Sequence, residues 1–300
     1  MKAHIVRTDE IYRSIIHAPD EETRKAIYRE KLVQPWQQMM AMVAGAFAGG
    51  DAPQDEFAGA RAWAWYLPDQ LSEAPAVLEA LEAANAWDVL TDGLQAGVDA
   101  LAPFADQIPF DSVEGWLLLA DPERSDPVMK GYTGAIDFMQ PRFVLQYDTT
   151  TERNLAALSG AAVHEFNHLV RLKAFPWGMD TSVADYIIHE GIAESFAQSL
   201  FGDAVLGYYV TDFDESQLAT AKNLIADGLD KTGFDIIRSY IFGDHLAEKL
   251  GLPITGMPEY GGYAIGYRVV QAYLKRTGKS AAEATFASAE EIVRESEYFS

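Results

Sequence analysis

His164-Glu165-Phe166-Asn167-His168, followed by His189-Glu190-Gly191-Ile192-Ala193-Glu194, is the stretch whose reading decides the fold. The first five residues read HExxH. On an α-helix, residues four apart share a face about one turn apart. His164 and His168 therefore present two imidazoles to one metal ion. Glu165 projects roughly 100° around the helix from His164, which puts its carboxylate beside the metal's open position rather than on the metal. Two imidazoles and one carboxylate form a catalytic zinc set that leaves a fourth position for water. Glu165 is placed to take a proton from that water as a general base.

The second helix supplies the carboxylate. Pro176-Trp177-Gly178 ends the HExxH helix. Ser182 with Asp185 reads as a capping box, with Asp in place of the usual Glu, and predicts a helix from about 183 to 201. Glu190 and Glu194 fall on one face of it. Glu190 completes the metal triad, and Glu194, one turn on, accepts a hydrogen bond from a ligand imidazole and fixes its tautomer. Spacing alone also allows the two carboxylates to exchange roles. Ile187, Ile188, Ile192, Ala193 and Phe196 mark this helix as buried, where carboxylates need partners. His189 points away from the ligand pair and reads as a packing residue. A third histidine ligand of the metzincin type would fall at position 174, which is Ala174, so that class is excluded.

Upstream of the HExxH helix the pattern is strand-like. Trp116 to Ala120, Ala135 to Met139 and Arg142 to Tyr147 read as three strands, and their exposed edge is a candidate for pairing with an extended peptide. Asp148 to Thr151 offer caps for a helix over roughly 152–173. Nearer the start, His4 to Arg7 reads as a short strand. Ile27, Tyr28, Leu32, Trp36, Met39 and Met40 make a helical apolar face with Pro35 inside it, so two helices or one kinked helix are expected. Gly49-Gly50-Asp51-Ala52-Pro53 is a breaker cluster. Trp63, Trp65 and Tyr66 read as core aromatics. Asp212 and Asp214 read as caps rather than as a calcium site.

Downstream, Gly261-Gly262-Tyr263-Ala264-Ile265-Gly266-Tyr267-Arg268 enters a helix that ends near Arg276-Thr277-Gly278. A hydrolase needs a donor aimed at the oxyanion of its tetrahedral intermediate. Tyr263, Tyr267 and Arg268 are the candidates. Tyr263 is preferred because the glycines around it allow close backbone approach.

Composition narrows the classes. The 300 residues are 49% hydrophobic and 12% aromatic, a folded chain rather than a disordered one. The absence of cysteine excludes thiolate ligands, so a metal is held by nitrogen and oxygen. A net charge of −22 argues against nucleic acid and against an anionic membrane surface. Between Asp51 and Glu114 thirteen carboxylates face one base, Arg61, a solvated acidic stretch. No apolar run approaches the roughly 20 residues of a membrane span, and the first ten residues carry no apolar leader. A cytoplasmic location is expected.

The segments HEFNH (164–168), IIHEGIAESFA (187–197), GGYAIGYRVVQAYLKRTGKSAAEAT (261–285) and EEIVRESEYF (290–299) resemble the YjaZ-like family of predicted zinc-dependent proteases. The resemblance covers about 155–299. It implies His164, His168 and Glu190 as zinc ligands, Glu165 as catalytic base and a gluzincin-like fold around the two helices. The interval from His168 to Glu190 is a few residues longer than in thermolysin-like enzymes, so the connecting loop should differ. The expected architecture is α+β and mostly helical. A helical N-terminal region over 1–112 precedes a zincin-like domain over 113–300, as two domains or as one continuous domain, with a small sheet before the HExxH helix. The expected function is a metallopeptidase with one Zn2+ per chain and a peptide or protein substrate. The alternatives are a non-catalytic, zinc-stabilised zincin fold that binds a partner or serves a stress response, and hydrolysis of a non-peptide amide or ester.

Overall fold

Phe143, Val144, Leu145 and Tyr147 are all buried on strand β4, Arg142–Tyr147. Continuous burial of this kind, here including Gln146, is the mark of a strand covered on both faces. Strand β2, Ser112–Leu119, is of the same type, with Leu117, Leu118 and Leu119 fully buried. These two lie at the centre of a four-stranded sheet of order β1-β2-β4-β3. β1, Lys2–Ile5, and β4 both run parallel to β2, whereas β3, Tyr132–Ile136, runs antiparallel to β4. With the helices around it, this makes a mostly helical α+β chain. The computed structural model describes residues 1–47 and 55–300. The breaker cluster from Gly49 to Pro53 lies outside the described residues.

Several boundaries differ from the sequence pattern; β2 begins at Ser112, four residues before the expected Trp116, and ends at Leu119 instead of Ala120. The first strand ends at Ile5, where its pairing with β2 stops at Gly115. β3 begins at Tyr132, three residues before the expected start, and ends at Ile136 instead of Met139. The stop comes from Asp137, whose carboxylate accepts the backbone N–H of Met139 at 2.9 Å and pairs with Arg142 at 2.7 Å, turning the chain at once into β4. Helix 152–173 is two helices, Glu152–Ala156 and Leu158–Ala174, the first capped by Thr151. The region around Pro35 is continuous. Glu21–Tyr28 passes through a π-helical turn, Arg29–Val33, into Gln34–Phe47. Proline has no N–H to close an ordinary helical turn, and the wider turn before it keeps the helix running.

Chain contacts define two units that interleave along the sequence. One is Lys2–Leu94 with Ser112–Leu158, the other Gln95–Asp111 with Ser159–Ser300. The first holds the sheet and an aromatic core, in which Trp36 and Trp116 pack edge to face at 5.9 Å and the Trp65 indole donates to Gln146 Oε1 at 2.9 Å. Burying those indoles is their role.

The second unit holds three long helices: the HExxH helix Leu158–Ala174, the Glu190 helix Val183–Phe201 and the Tyr263 helix Gly261–Thr277. The Ser182–Asp185 capping box is present, and Gly202 ends the Glu190 helix at a φ of 78°. Ile187, Ile188 and Ile192 pack with Ile241, Ile265 and Val269 in one core. The Glu190 and Tyr263 helices meet backbone to backbone. A Cβ on Gly191 would lie 2.2 Å from Gly266 O, and one on Gly266 would lie 2.1 Å from Ile187 O. Among the described residues no helix is long and apolar enough to cross a membrane.

Candidate metal centre

Helix geometry stacks His164 and His168 on one face of the HExxH helix, their ring centroids 4.4 Å apart and the planes nearly perpendicular. From the second helix, Glu190 Oε2 reaches both: 3.4 Å from His164 Nε2 and 3.3 Å from His168 Nε2. One ligand atom from each of the three lies within 4.8 Å of the others, and all three residues are buried. Zinc bonds to nitrogen and oxygen of about 2.0–2.1 Å, arranged tetrahedrally, separate neighbouring ligand atoms by roughly 3.3–3.4 Å. The two separations from Glu190 Oε2 match that edge. The atoms present therefore fit a zinc ion.

The electrostatics point the same way. Glu165, Glu190 and Glu194 are 7%, 6% and 3% exposed, and among the described residues none pairs with a lysine or arginine. Burial pushes the Glu190 carboxyl up, but His168 and His164 outweigh it and hold Glu190 far below the usual carboxylate range. Burial disfavours the charged form of His164, yet Glu190 and Glu194 carry its pKa well above the imidazole norm. Buried carboxylates need positive partners, and here the two imidazoles are the positive groups that face them.

Glu165 lies beside the triad rather than in it. Among the described residues it receives no hydrogen bond. Burial raises its pKa, with Glu190 and Glu194 adding to the effect and His168 and His164 opposing it. Glu194 sits behind His164: its Oε1 lies 3.1 Å from His164 Nδ1. The two carboxylates of the Glu190 helix thus face different atoms, Glu190 the two Nε2 atoms and Glu194 only the far nitrogen of His164.

The three oxyanion candidates separate. The Tyr263 phenol is raised well above its usual pKa, first by burial and then by Glu190, Tyr186, Tyr208 and Glu165. Tyr267 is influenced by Asp203 and Glu194 instead. Arg268 is spent on an ion pair with Glu215 and on the Ala264 carbonyl, 2.9 Å away. The glycines beside Tyr263 are needed for close approach: a Cβ on Gly262 would lie 2.5 Å from the Ile241 Cα.

Two neighbours of the ligands were not visible as such in the sequence. His189 is buried and its ring stacks on that of His168, centroids 4.0 Å apart and planes 4° from parallel. Trp177 and Tyr186 stack on each other at 4.8 Å, and Trp177 lies 5.0 Å from His189. Burial and His168 hold His189 well below the usual imidazole pKa, so it is neutral. The other neighbour is Tyr209, whose hydroxyl donates to Glu194 Oε1 and lies 3.3 Å from His164 Nδ1. Helical periodicity describes one helix at a time and carries no signal for either contact. The back of the HExxH helix is fastened by Arg171 Nη1, which donates to the carbonyls of Thr285 and Ala287 at 2.9 Å each, and by Asn167 Nδ2, 2.8 Å from Thr285 Oγ1.

A family model described as "Predicted Zn-dependent protease (DUF2268)" matches residues 86–294. The chain is also similar to a Bacillus subtilis (strain 168) protein named "Uncharacterized protein YjfC", 27% identical over 296 residues that cover 98% of each chain. No solved structure matches.

Proposed function

This chain belongs to the family of predicted Zn-dependent proteases, and we propose that it is a zinc metallopeptidase of the gluzincin type. The observation that carries this reading is the convergence of His164 Nε2, His168 Nε2 and Glu190 Oε2, with the Glu165 carboxylate buried beside them. These three residues would hold the ion. Zinc bound there supplies a Lewis acid that polarises a peptide carbonyl and brings the pKa of a coordinated water to about 7. Glu165 takes the proton of the attacking water and returns it to the leaving amine nitrogen. Tyr263 donates its phenol hydrogen to the oxyanion as the carbonyl becomes tetrahedral. Glu194 holds the Nδ1–H of His164, so that Nε2 is the nitrogen presented to the metal. The acidity of the chain disfavours nucleic acid as substrate; the substrate is a peptide or protein, met in the cytoplasm.

The test is a peptide-library digest with and without chelator, run beside elemental analysis. Wild-type protein should carry one zinc per chain, and His168→Ala should lose it. Glu165→Gln should keep the zinc and lose roughly 10²–10⁴-fold in turnover, because an amide cannot accept the proton. Zinc-loaded wild type that cleaves nothing would leave a zinc-stabilised binding protein as the better reading.

A further inference from the structure

Glu194 is held on both carboxylate oxygens. Oε1 faces His164 Nδ1 at 3.1 Å and accepts the Tyr209 hydroxyl, while Oε2 accepts the backbone N–H of Gly207 at 3.2 Å. Both additional donors come from one turn, residues 207–209. Gly207 is what lets that turn close, since a Cβ there would lie 2.3 Å from the Tyr209 ring. The same ring packs 4.4 Å from that of Tyr263.

A carboxylate whose only partner is one imidazole N–H is free to turn about its last torsion, which is broad. The imidazole it holds then swings with it. Two further donors, one on each oxygen, fix the plane of the carboxylate. Donation from a phenol also spreads the charge on Oε1, which keeps Glu194 an acceptor for the His164 proton rather than its owner. Outer partners of metal ligands act in this way: they orient the ligand and set its basicity.

We propose that Tyr209 is a positioning residue that acts on the metal centre through Glu194, and that the turn 207–209 is a clamp that fixes His164 for the metal. The proposal rests on the zinc reading above. Tyr209 touches neither the metal position nor substrate in this role; its hydroxyl, and not its ring, is the active part.

The experiment measures zinc affinity, by competition with a chromogenic chelator, for full-length wild type, Tyr209→Phe, Glu194→Gln and the double variant. Phenylalanine keeps the ring and its packing on Tyr263, so the thermal midpoint of the metal-free protein should not move. Zinc should bind roughly tenfold more weakly, the low end of the range for outer partners. In the Glu194→Gln background the same change should have a smaller further effect, because only the 3.3 Å approach of the hydroxyl to His164 Nδ1 remains. The visible absorption of the cobalt-loaded protein should shift in Tyr209→Phe, which a role in packing alone would not cause. Should Tyr209→Phe fail to fold, Gly207→Ala displaces the ring by another route and should give the same loss of affinity. Wild-type affinity in Tyr209→Phe, or an equal loss in both backgrounds, overturns the proposal while leaving the zinc reading intact. A wild-type protein that takes up no zinc overturns both.

Discussion

His164 stands on a side of the site made of hydrogen bonds, and His168 on a side made of ring faces. Behind His164, Glu194, Tyr209 and Gly207 form a directional chain whose members each have a donor or acceptor to match. Behind His168, among the described residues, there is no such chain. Its Nδ1 is buried and finds no hydrogen-bond partner, and the ring is steadied by the parallel face of His189. A hydrogen bond fixes a tautomer as well as a direction, whereas a stack fixes only the plane. The two histidines of the candidate metal centre are thus restrained by different physics, and each kind of restraint answers to a different substitution.

The largest effect should come from a change that both sides share. Glu190, Glu194 and His189 all sit on the helix that meets Gly266 through Gly191. Gly191→Ala sets a Cβ 2.2 Å from the Gly266 carbonyl oxygen, a backbone atom that cannot turn aside. The helices must part, at a cost of about 3 kcal/mol or more. Denaturant unfolding of the metal-free protein should show it, and zinc affinity should fall as well. An alanine variant of wild-type stability would mean that the two helices are not held at this separation.

Next in size is the hydrogen-bonded side alone. Glu194→Gln keeps volume but replaces one accepting oxygen with an N–H₂ group, which then opposes the donor it used to receive. Zinc affinity should drop roughly 10–100-fold, with the stability of the metal-free protein changing less than in Gly191→Ala. A drop no greater than that of a surface glutamate such as Glu290 would remove Glu194 from the support of His164.

How much of this was legible beforehand follows from where each restraint originates. The triad was readable because His164 and His168 lie on one helix, whose pitch sets their spacing, and because Glu190 follows a recognisable capping box at Ser182. The strand β4 was readable from its apolar run. The His168–His189 stack was not, since it depends on the rotation of one helix against another, which no single-helix period contains. The position of Tyr209 was hidden for a related reason: it lies in a turn of four helical residues, Tyr208–Thr211, too short to show a period. The end of β3 was in principle visible, because an aspartate favours a turn by bonding the backbone two residues on, as Asp137 does to Met139.

The smallest effect should come from the stacked side. In His189→Leu the buried volume is kept approximately and the ring face is lost. An aromatic stack contributes roughly 0.5–1.5 kcal/mol beyond its buried area, which corresponds to a roughly two- to tenfold loss in zinc affinity. The loss should be smaller than for Glu194→Gln because no hydrogen bond and no charge is removed: His189 is neutral in its buried place. Its signature should also differ. With the stack gone, only Glu190 at Nε2 holds the His168 ring and nothing steadies its plane from the far side, so nuclear magnetic resonance of the imidazole nitrogens should show exchange broadening at His168. His164, still bonded to Glu194, should stay sharp in the same spectrum. If His189→Leu broadens both rings equally, the two sides are mechanically one and the contrast between them fails. If it broadens neither and leaves affinity unchanged, the stack is only packing, and the orientation of His168 comes from the helix that carries it.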